Sequence, residues 1–359
     1  MGLHELEVRN FRLFDHFVFQ PDPDAVTVFV SANGTGKTSV LEAVYALATA
    51  SSFRTNAASD MIRNGENLTE VHGVLFQRER RIGIDLTLTR GVRTTKRMLV
   101  NGQKPRSRAD LSEALPITVF TPEGVDVVRQ GPEHRRTFLT TLLTDVDLGT
   151  GDVIERFARV LSQRNALLRA LRGERPNATQ RAELDVWSND LAVHGEQLID
   201  VRRETLAALS PLVETNYRRL AASDARVELT YEQSWGGPLL AALAASEDDD
   251  RMRGHTTVGP HRDDISITLD NRNTRHQASQ GEQRSLALAL RLGGDQLVRQ
   301  RRGVDPLLLL DDVFSELDPS RSDRLLELLP TGQTLVTTAS PLPSRLTPAA
   351  VVDLTRRTW

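Results

Sequence analysis

The pattern of hydrophobic and polar residues divides the chain into three stretches. Residues 1–120 carry short apolar runs and period-two alternation, which predict strands, together with one apolar helix. In residues 121–250, apolar residues recur at i, i+3, i+4 and i+7, which predicts long helices. Residues 251–359 return to alternating strands and helices. The pattern therefore predicts an α/β protein that a mostly helical insertion divides in two.

The individual elements follow from these patterns and from the turns between them. Asn101-Gly102 is a strong hairpin signal and supports an antiparallel meander in the first stretch. The first strand, Leu3–Val8, has the pattern of an edge strand, and Ser246–Arg251 has that of a charged surface loop. The other predicted strands are Val18–Phe19, Val26–Val30, Val71–Leu75, Arg81–Thr89, Thr94–Val100, Ile117–Phe120, Val227–Tyr231, Ile265–Leu269, Pro306–Leu310 and Thr334–Thr338. The predicted helices are Ser39–Ala48, Arg136–Leu143, Val153–Leu171, Glu183–Leu220, Ser285–Arg299 and Arg321–Leu329.

A phosphate-binding loop is the strongest single motif. Residues 31–38 read Ser-Ala-Asn-Gly-Thr-Gly-Lys-Thr and stand between a predicted strand and a predicted helix. That order is what a P-loop requires, because backbone N–H groups of the loop cradle phosphates and the helix N-terminus adds partial positive charge. The nucleotide-binding residues that we expect here are Ser31, Asn33, Gly34, Gly36, Lys37, Thr38 and Ser39.

Within this loop, two residues have predicted chemical roles and two raise questions. Lys37 would reach the β- and γ-phosphates and take part in catalysis, and Thr38 would ligate Mg²⁺. Ser31 stands where the motif has its first glycine. Asn33 either contacts a phosphate or only shapes the turn.

Two carboxylates follow an apolar strand far downstream. The run Pro306–Leu310 ends in Asp311 and Asp312, and ligand groups in open α/β sheets sit at the carboxyl ends of strands. Asp311 would hold Mg²⁺, directly or through water, and Asp312 would orient or deprotonate the attacking water. Alone, the pair is equally compatible with a buried strand that ends in a solvated turn. The upstream P-loop favours the catalytic interpretation.

Two polar segments lie on either side of these carboxylates. Ser279–Gln283 precedes an apolar helix, and Ser315–Asp318 follows the carboxylate pair. They resemble the signature and the D-loop of ATP-binding-cassette ATPases. The resemblance implies that Ser279 and Gly281 of one protomer close over the nucleotide held by the other, so that ATP bridges a symmetric homodimer and hydrolysis opens it. The implied fold is an α/β, ABC-type P-loop ATPase head with an antiparallel β subdomain and a mostly α-helical inserted lobe.

Composition narrows the class of protein. Apolar residues are 39% and charged residues 26% of the chain, and its net charge of −3 excludes a polybasic nucleic-acid binder. The absence of cysteine excludes disulfides and thiol chemistry and agrees with a cytoplasmic location. The N-terminus lacks the apolar core of a signal peptide, and no apolar run is long enough to cross a membrane.

Segments from end to end resemble one group of cassette ATPases, the RecF family of bacterial recombination mediators. The resemblance implies an ATP-dependent DNA-binding protein that dimerises with ATP near junctions of double- and single-stranded DNA. It also implies RecO- and RecR-type partners, RecA loading at gaps and SOS induction. The alternative is a RecF-like ATPase of an anti-phage defence system, a class that typically carries an added nuclease domain, which we do not expect here. The segments that carry the resemblance are Val8–Arg12, Ser52–Asn56, Thr121–Glu123, Gly131–Arg136, Ser162–Leu168 and Gly259–Asp264.

Two features leave their interpretation open. His261 and Arg262 belong either to a loop that couples DNA or nucleotide to the signature, or to a turn with a local Arg–Asp pair. Basic residues of the predicted meander form either a DNA-phosphate surface or a solvated strand face of mixed charge. These basic residues are Arg78, Arg80, Arg81, Arg90, Arg93, Lys96 and Arg97.

The length of one side chain predicts the rate of hydrolysis. Asp312 stands where transporter ATPases of the same superfamily commonly have Glu, and it is one methylene shorter. We therefore expect slow hydrolysis, with ATP acting as a clamp that holds the dimer closed.

Overall fold

The computed structural model describes residues 2–32, 34–77, 80–173, 176–330 and 332–355. The strands within these residues are β1 (Gly2–Phe11), β2 (Phe14–Phe19), β3 (Val26–Val30), β4 (Leu68–Gln77), β5 (Arg80–Thr89), β6 (Thr95–Val100), β7 (Ile117–Phe120), β8 (Val227–Glu232), β9 (Asp264–Leu269), β10 (Arg272–Asn273), β11 (Leu307–Asp311), β12 (Thr334–Thr338) and β13 (Ala350–Asp353). The α-helices are α1 (Lys37–Thr49), α2 (Arg108–Ala114), α3 (Asp126–Arg129), α4 (Pro132–Val146), α5 (Thr150–Ala170), α6 (Ala178–Ala221), α7 (Leu239–Ala245), α8 (Glu247–Arg253), α9 (Thr274–Gln277), α10 (Gln280–Arg302) and α11 (Pro319–Leu328).

A parallel sheet forms the middle layer, with the strand order β13-β3-β12-β11-β7. All residues of β11 and β12 are buried, as expected for parallel strands that are covered on both faces. Alternate residues serve two cores: Leu308 and Leu310 pack toward α10 and the helical lobe, whereas Leu307 and Leu309 pack toward α1 and the antiparallel sheet. The order of the strands places the carboxyl end of β12 between those of β3 and β11.

An antiparallel sheet of order β2-β1-β4-β5-β6 covers the α1 side. Buried residues alternate along β5 at Ile84, Leu86 and Leu88, so one face packs on the core. The prediction of an edge strand at Leu3–Val8 is wrong, because β1 pairs with both β2 and β4. The alternating pattern fixes which face of a strand is buried, but it carries no information on how many neighbours the strand has.

The helical lobe is built around α6, a helix of 44 residues that starts with a capping box of Asn177 and Gln180. It packs against α5, α10 and β8, while β8 pairs with β9 in a separate three-stranded sheet. The prediction of a charged surface loop at Ser246–Arg251 is wrong, because most of this segment forms α8 and Asp250 is fully buried. One carboxylate of an acidic run can be buried when a buried cation pairs with it, and here Arg164 pairs with Asp250.

Within the described ranges, no helix combines the length and the apolar character that a membrane span needs.

Candidate functional site

The P-loop connects β3 to α1, and its glycines have the backbone conformation that only glycine adopts easily. Gly34 has φ +82° and Gly36, which caps α1, has φ +106°. A Cβ on Gly36 would also lie 3.0 Å from Cζ of Phe14. The loop is therefore shaped by glycine at the helix N-terminus, where backbone N–H groups can bind an anion.

Lys37 lies across the loop. Its Nζ donates to the carbonyl oxygens of Ser31 at 2.6 Å and Ala32 at 2.9 Å. Burial lowers the pKa of Lys37, and the carboxylates of Asp312 and Asp311 oppose that shift. The ammonium group is thus close to both carboxylates of the predicted site.

The side chain of Ser31 is accommodated inside the loop. Its Oγ shares a hydrogen bond with Oγ1 of Thr35, which in turn donates to the carbonyl oxygen of Ala32 at 2.9 Å. The Ser31 hydroxyl, at the position where the motif has glycine, therefore links the start of the loop to Thr35. Asn33 lies outside the described residues.

Asp311 is the junction of three elements. Thr38 at the start of α1 donates its hydroxyl to Asp311 Oδ1 at 2.8 Å, and Thr337 on β12 donates to the same oxygen at 2.6 Å. Burial raises the pKa of Asp311, and the hydrogen bonds from Thr337 and Thr38 oppose that shift. An oxygen cluster of a hydroxyl and a carboxylate is the ligand type that Mg²⁺ prefers.

Asp312 adopts a left-handed backbone, with φ +49°, and lines the cleft beside the P-loop. Its N–H is held by Thr337, through the carbonyl oxygen at 3.1 Å and Oγ1 at 3.0 Å. Thr337 therefore binds the carboxylate of Asp311 and the backbone of Asp312. Sequence reasoning did not assign it to the site, although a polar residue at the carboxyl end of the neighbouring strand was the available signal.

The cleft has a volume of about 410 Å³ and a second cationic wall. Arg12 and Arg54 line it together with Lys37, and both bind the carboxylate of Glu42. Glu42 lies on α1, is fully buried, and also accepts a hydrogen bond from Ser52. Sequence reasoning did not assign these arginines, Glu42 or Ser52 to the site, although Arg12, Ser52 and Arg54 lie in segments that carried the family resemblance.

The signature residues lie away from this cleft. Ser279 caps α10, and neither Ser279 nor Gly281 is among the residues that line the cleft. Asp318 of the D-loop caps α11, where its Oδ1 accepts the N–H of Arg321 at 3.0 Å. One chain therefore presents a phosphate cradle and a separate helix N-terminus.

Comparison with known proteins decides the family. Residues 2–341 match the model of the RecF/RecN/SMC N terminal domain. The DNA replication and repair protein RecF of Acidothermus cellulolyticus is 36% identical over 353 residues, which cover 95% of this chain and 94% of that protein. Its counterpart from Geobacter sulfurreducens is 38% identical over 339 residues, which cover 92% and 90%. The chain belongs to the RecF family. The family predicted from the sequence is thereby confirmed, and with it a role in DNA replication and repair.

Solved structures extend the likeness to the whole fold. A structure of the recombination mediator RecF with ATP, described as part of the RecFOR pathway, superposes with a TM-score of 0.88 at 27% identity and covers 98% of this chain and 94% of that one. An Smc head bound to the C-winged helix domain of ScpA has a TM-score of 0.52 at 15% identity, covers 95% of this chain and 90% of that one, and shares the fold alone. The predicted fold class, an α/β, ABC-type P-loop ATPase head with an antiparallel β subdomain and a mostly α-helical inserted lobe, is therefore confirmed.

The RecF-like segment Gly259–Asp264 joins the helical lobe to β9. Arg135 of α4 forms two hydrogen bonds with Asp264, at 2.7 and 2.8 Å, while Asp263 accepts one from Tyr231 at 2.5 Å. Of the two open interpretations, the turn with a local Arg–Asp pair does not form, because Asp264 pairs with an arginine from a helix more than a hundred residues upstream. His261 is packed inside this junction, where burial lowers its pKa to about 4.

The basic residues of the meander do not share one face. Register places Arg81 and Arg97 on the face turned away from α1, where Glu70 and Asp85 also lie. Lys96 lies on the opposite side and donates to the carbonyl oxygen of Ala50 at 2.9 Å. The remaining described members, Arg80, Arg90 and Arg93, are exposed, and Arg78 lies outside the described residues.

Proposed function

We propose that this RecF-family protein is an ATP-gated switch that dimerises on DNA. ATP with Mg²⁺ would bind the P-loop cleft of one protomer, and the signature of a second copy would close over it. The observation that carries the proposal is the convergence of Lys37, Thr38, Asp311 and Asp312 at one cleft, while Ser279 lies outside it.

The residues of the cleft have distinct proposed roles. Loop N–H groups from Gly34 to Ser39 would bind phosphate oxygens, and Lys37 would exchange its bonds to loop carbonyls for the β- and γ-phosphates. Thr38 and Asp311 would hold Mg²⁺, which when bound neutralises phosphate charge. Asp312 would orient or deprotonate the attacking water.

The rate and the partners complete the proposal. The shorter carboxylate of Asp312 favours slow, DNA-dependent hydrolysis, so the closed dimer would persist on DNA. The similar structures that are described as a recombination mediator in the RecFOR pathway support RecR- and RecO-type partners. RecA loading at gaps and SOS induction are the part of the proposal that rests on the family resemblance alone. The protein would contact DNA through the phosphates, because no segment of the sequence resembles a base-reading module.

A sizing experiment tests the proposal. The mass of the purified protein is measured with and without ATP and with a gapped duplex. We expect a dimer only with ATP, and a stronger response with DNA. Lys37→Met should abolish both, whereas Lys104→Met, which removes an exposed lysine outside the cleft, should leave both unchanged. A dimer that forms with ATP in Lys37→Met would refute the P-loop assignment, and a wild type that ignores DNA would refute the mediator role.

A further inference from the structure

The signature places a carboxylate at the N-terminus of its own helix. Ser279 and Glu282 form a reciprocal capping box: Ser279 Oγ accepts the N–H of Glu282 at 3.3 Å, and Glu282 Oε2 accepts the N–H of Ser279 at 2.6 Å. Because the Ser279 hydroxyl serves as an acceptor in this bond, its proton remains available for donation to another group. The carboxylate of Glu282, in contrast, brings negative charge next to Ser279, the residue that the proposed function assigns to a phosphate.

Arg272 compensates that negative charge from the neighbouring hairpin. It lies on β10, and its Nη2 is 3.3 Å from Glu282 Oε1, while its Nη1 donates to the carbonyl oxygen of Gln277 at 3.5 Å. The N–H of Ser279 and the guanidinium of Arg272 both hold the pKa of Glu282 below its usual value. Glu282 is therefore charged at neutral pH, and Arg272 is its cationic partner.

A second guanidinium lies against the same turn. A Cβ on Gly281 would be 2.9 Å from Nη1 of Arg321, which shows how closely this guanidinium approaches the start of α10. Arg321 also forms an ion pair with Asp318 of the D-loop, at 3.5 Å. Its charge is thus already shared with a carboxylate, which leaves Arg272 as the cation that is matched to Glu282.

We propose that Arg272 is a positioning residue of the signature. It neutralises Glu282 and keeps the capping box in place, so that the N-terminus of α10 can receive the γ-phosphate of ATP held by a second copy of the chain. Without Arg272, the phosphate would approach an uncompensated carboxylate, and like charges a few ångströms apart repel. This inference rests on the proposed function, because it assumes that the signature of one protomer closes over the nucleotide of another.

A purely structural role for Arg272 predicts a different result. Suppose that the guanidinium of Arg272 only ties the hairpin of β9 and β10 to α10. In that case, adding Glu282→Gln to Arg272→Ala cannot restore ATP-dependent dimerisation, because the tie is still missing. If the guanidinium compensates charge, Glu282→Gln should make Arg272 dispensable, because a glutamine side chain still caps the helix without repelling phosphate. The double variant therefore separates the two roles.

The experiment compares Arg272→Ala, Glu282→Gln and the double variant by the dimer dissociation constant at saturating ATP and by ATP binding to the monomer. We expect Arg272→Ala to weaken the ATP-dependent dimer about tenfold or more, the scale of one lost charge interaction. ATP binding to the monomer should stay within about twofold, because Arg272 does not line the P-loop cleft. The double variant should dimerise as the wild type does. The control Arg345→Ala removes an exposed arginine that pairs with Glu327, and should change neither quantity.

A double variant that is as weak as Arg272→Ala would overturn the inference, as would an Arg272→Ala variant that dimerises normally. Should Arg272→Ala fail to fold, Arg272→Gln replaces it in the same cycle, with folding checked by circular dichroism. Failure of the proposed function would be visible separately, as a wild type that binds ATP and remains monomeric, and the inference would then fall with it.

Discussion

Removing Asp250 should destabilise the helical lobe more than any exposed substitution in it. Asp250 and Arg164 are both fully buried, and Arg164 Nη1 donates to Asp250 Oδ2 at 2.7 Å. The other carboxylate oxygen accepts the N–H and the hydroxyl of Thr257, at 2.8 and 2.6 Å. Asp250→Ala would leave a buried guanidinium without its counter-ion and the N–H of Thr257 without its acceptor.

The magnitude follows from that loss. Breaking a buried ion pair by removing one partner costs about 3–5 kcal/mol, because the remaining charge keeps its desolvation penalty. Replacing both partners, as in Arg164→Met with Asp250→Leu, should cost less than the single change, since no uncompensated charge then remains. Asp248→Ala is the matched control, because Asp248 is 87% exposed and its pair with Arg251 is worth no more than about 1 kcal/mol.

Urea unfolding followed by far-UV circular dichroism measures these differences. The free energy of unfolding of Asp250→Ala should fall by about 3–5 kcal/mol and that of Asp248→Ala by less than about 1 kcal/mol. A loss below about 1 kcal/mol in Asp250→Ala would show that the buried guanidinium finds another partner or water, and would refute the reasoning.

Three further predictions concern the nucleotide cleft and the lobe junction. Gly36→Ala should lower ATP affinity about tenfold or more by calorimetry, because φ is +106° and the new Cβ would meet Phe14; unchanged affinity would contradict this. Asp312→Asn should slow phosphate release about a hundredfold while the ATP-dependent dimer persists, and an unaltered rate would exclude Asp312 from proton transfer. The pKa of His261 is about 4 in the folded protein and about 6.5 in the unfolded chain. Between about pH 4 and 6.5 the unfolded chain therefore binds more protons, and the free energy of unfolding rises with pH across this window. Urea midpoints from about pH 4 to 7 should therefore rise in the wild type and flatten in His261→Gln, and equal slopes would refute the assignment.

The arrangement of the P-loop and of the strand before Asp311 could be predicted because both depend on local spacing. A strand, a glycine-rich loop and a helix start must follow one another to cradle phosphate, so the chain order alone identifies them. Thr337 could not be found in this way, because it reaches Asp311 only through the register in which β12 pairs with β11. Register is a property of the sheet, so the polar residue at the end of β12 does not by itself show which carboxylate it contacts.

Charge partners were the least predictable feature. The acidic run at 246–251 has the composition of a solvated loop, yet one carboxylate in it meets Arg164 from another helix. Likewise, Asp264 pairs with Arg135 from a distant helix, and Glu42 pairs with Arg12 and Arg54 from two separate segments. An ion pair depends on distances of a few ångströms, which packing sets and composition does not.

The sequence by itself determined the family, the order of the phosphate-binding and carboxylate segments, and the division of the chain into α/β and helical stretches. Each of these rests on residue type and spacing along the backbone. Only the tertiary structure decided that Thr337 contacts both Asp311 and Asp312, that Glu42 holds two arginines at the cleft, and that Arg272 faces Glu282 at the signature. Such contacts arise where separate elements pack together, and their energies depend on burial and distance in the folded chain.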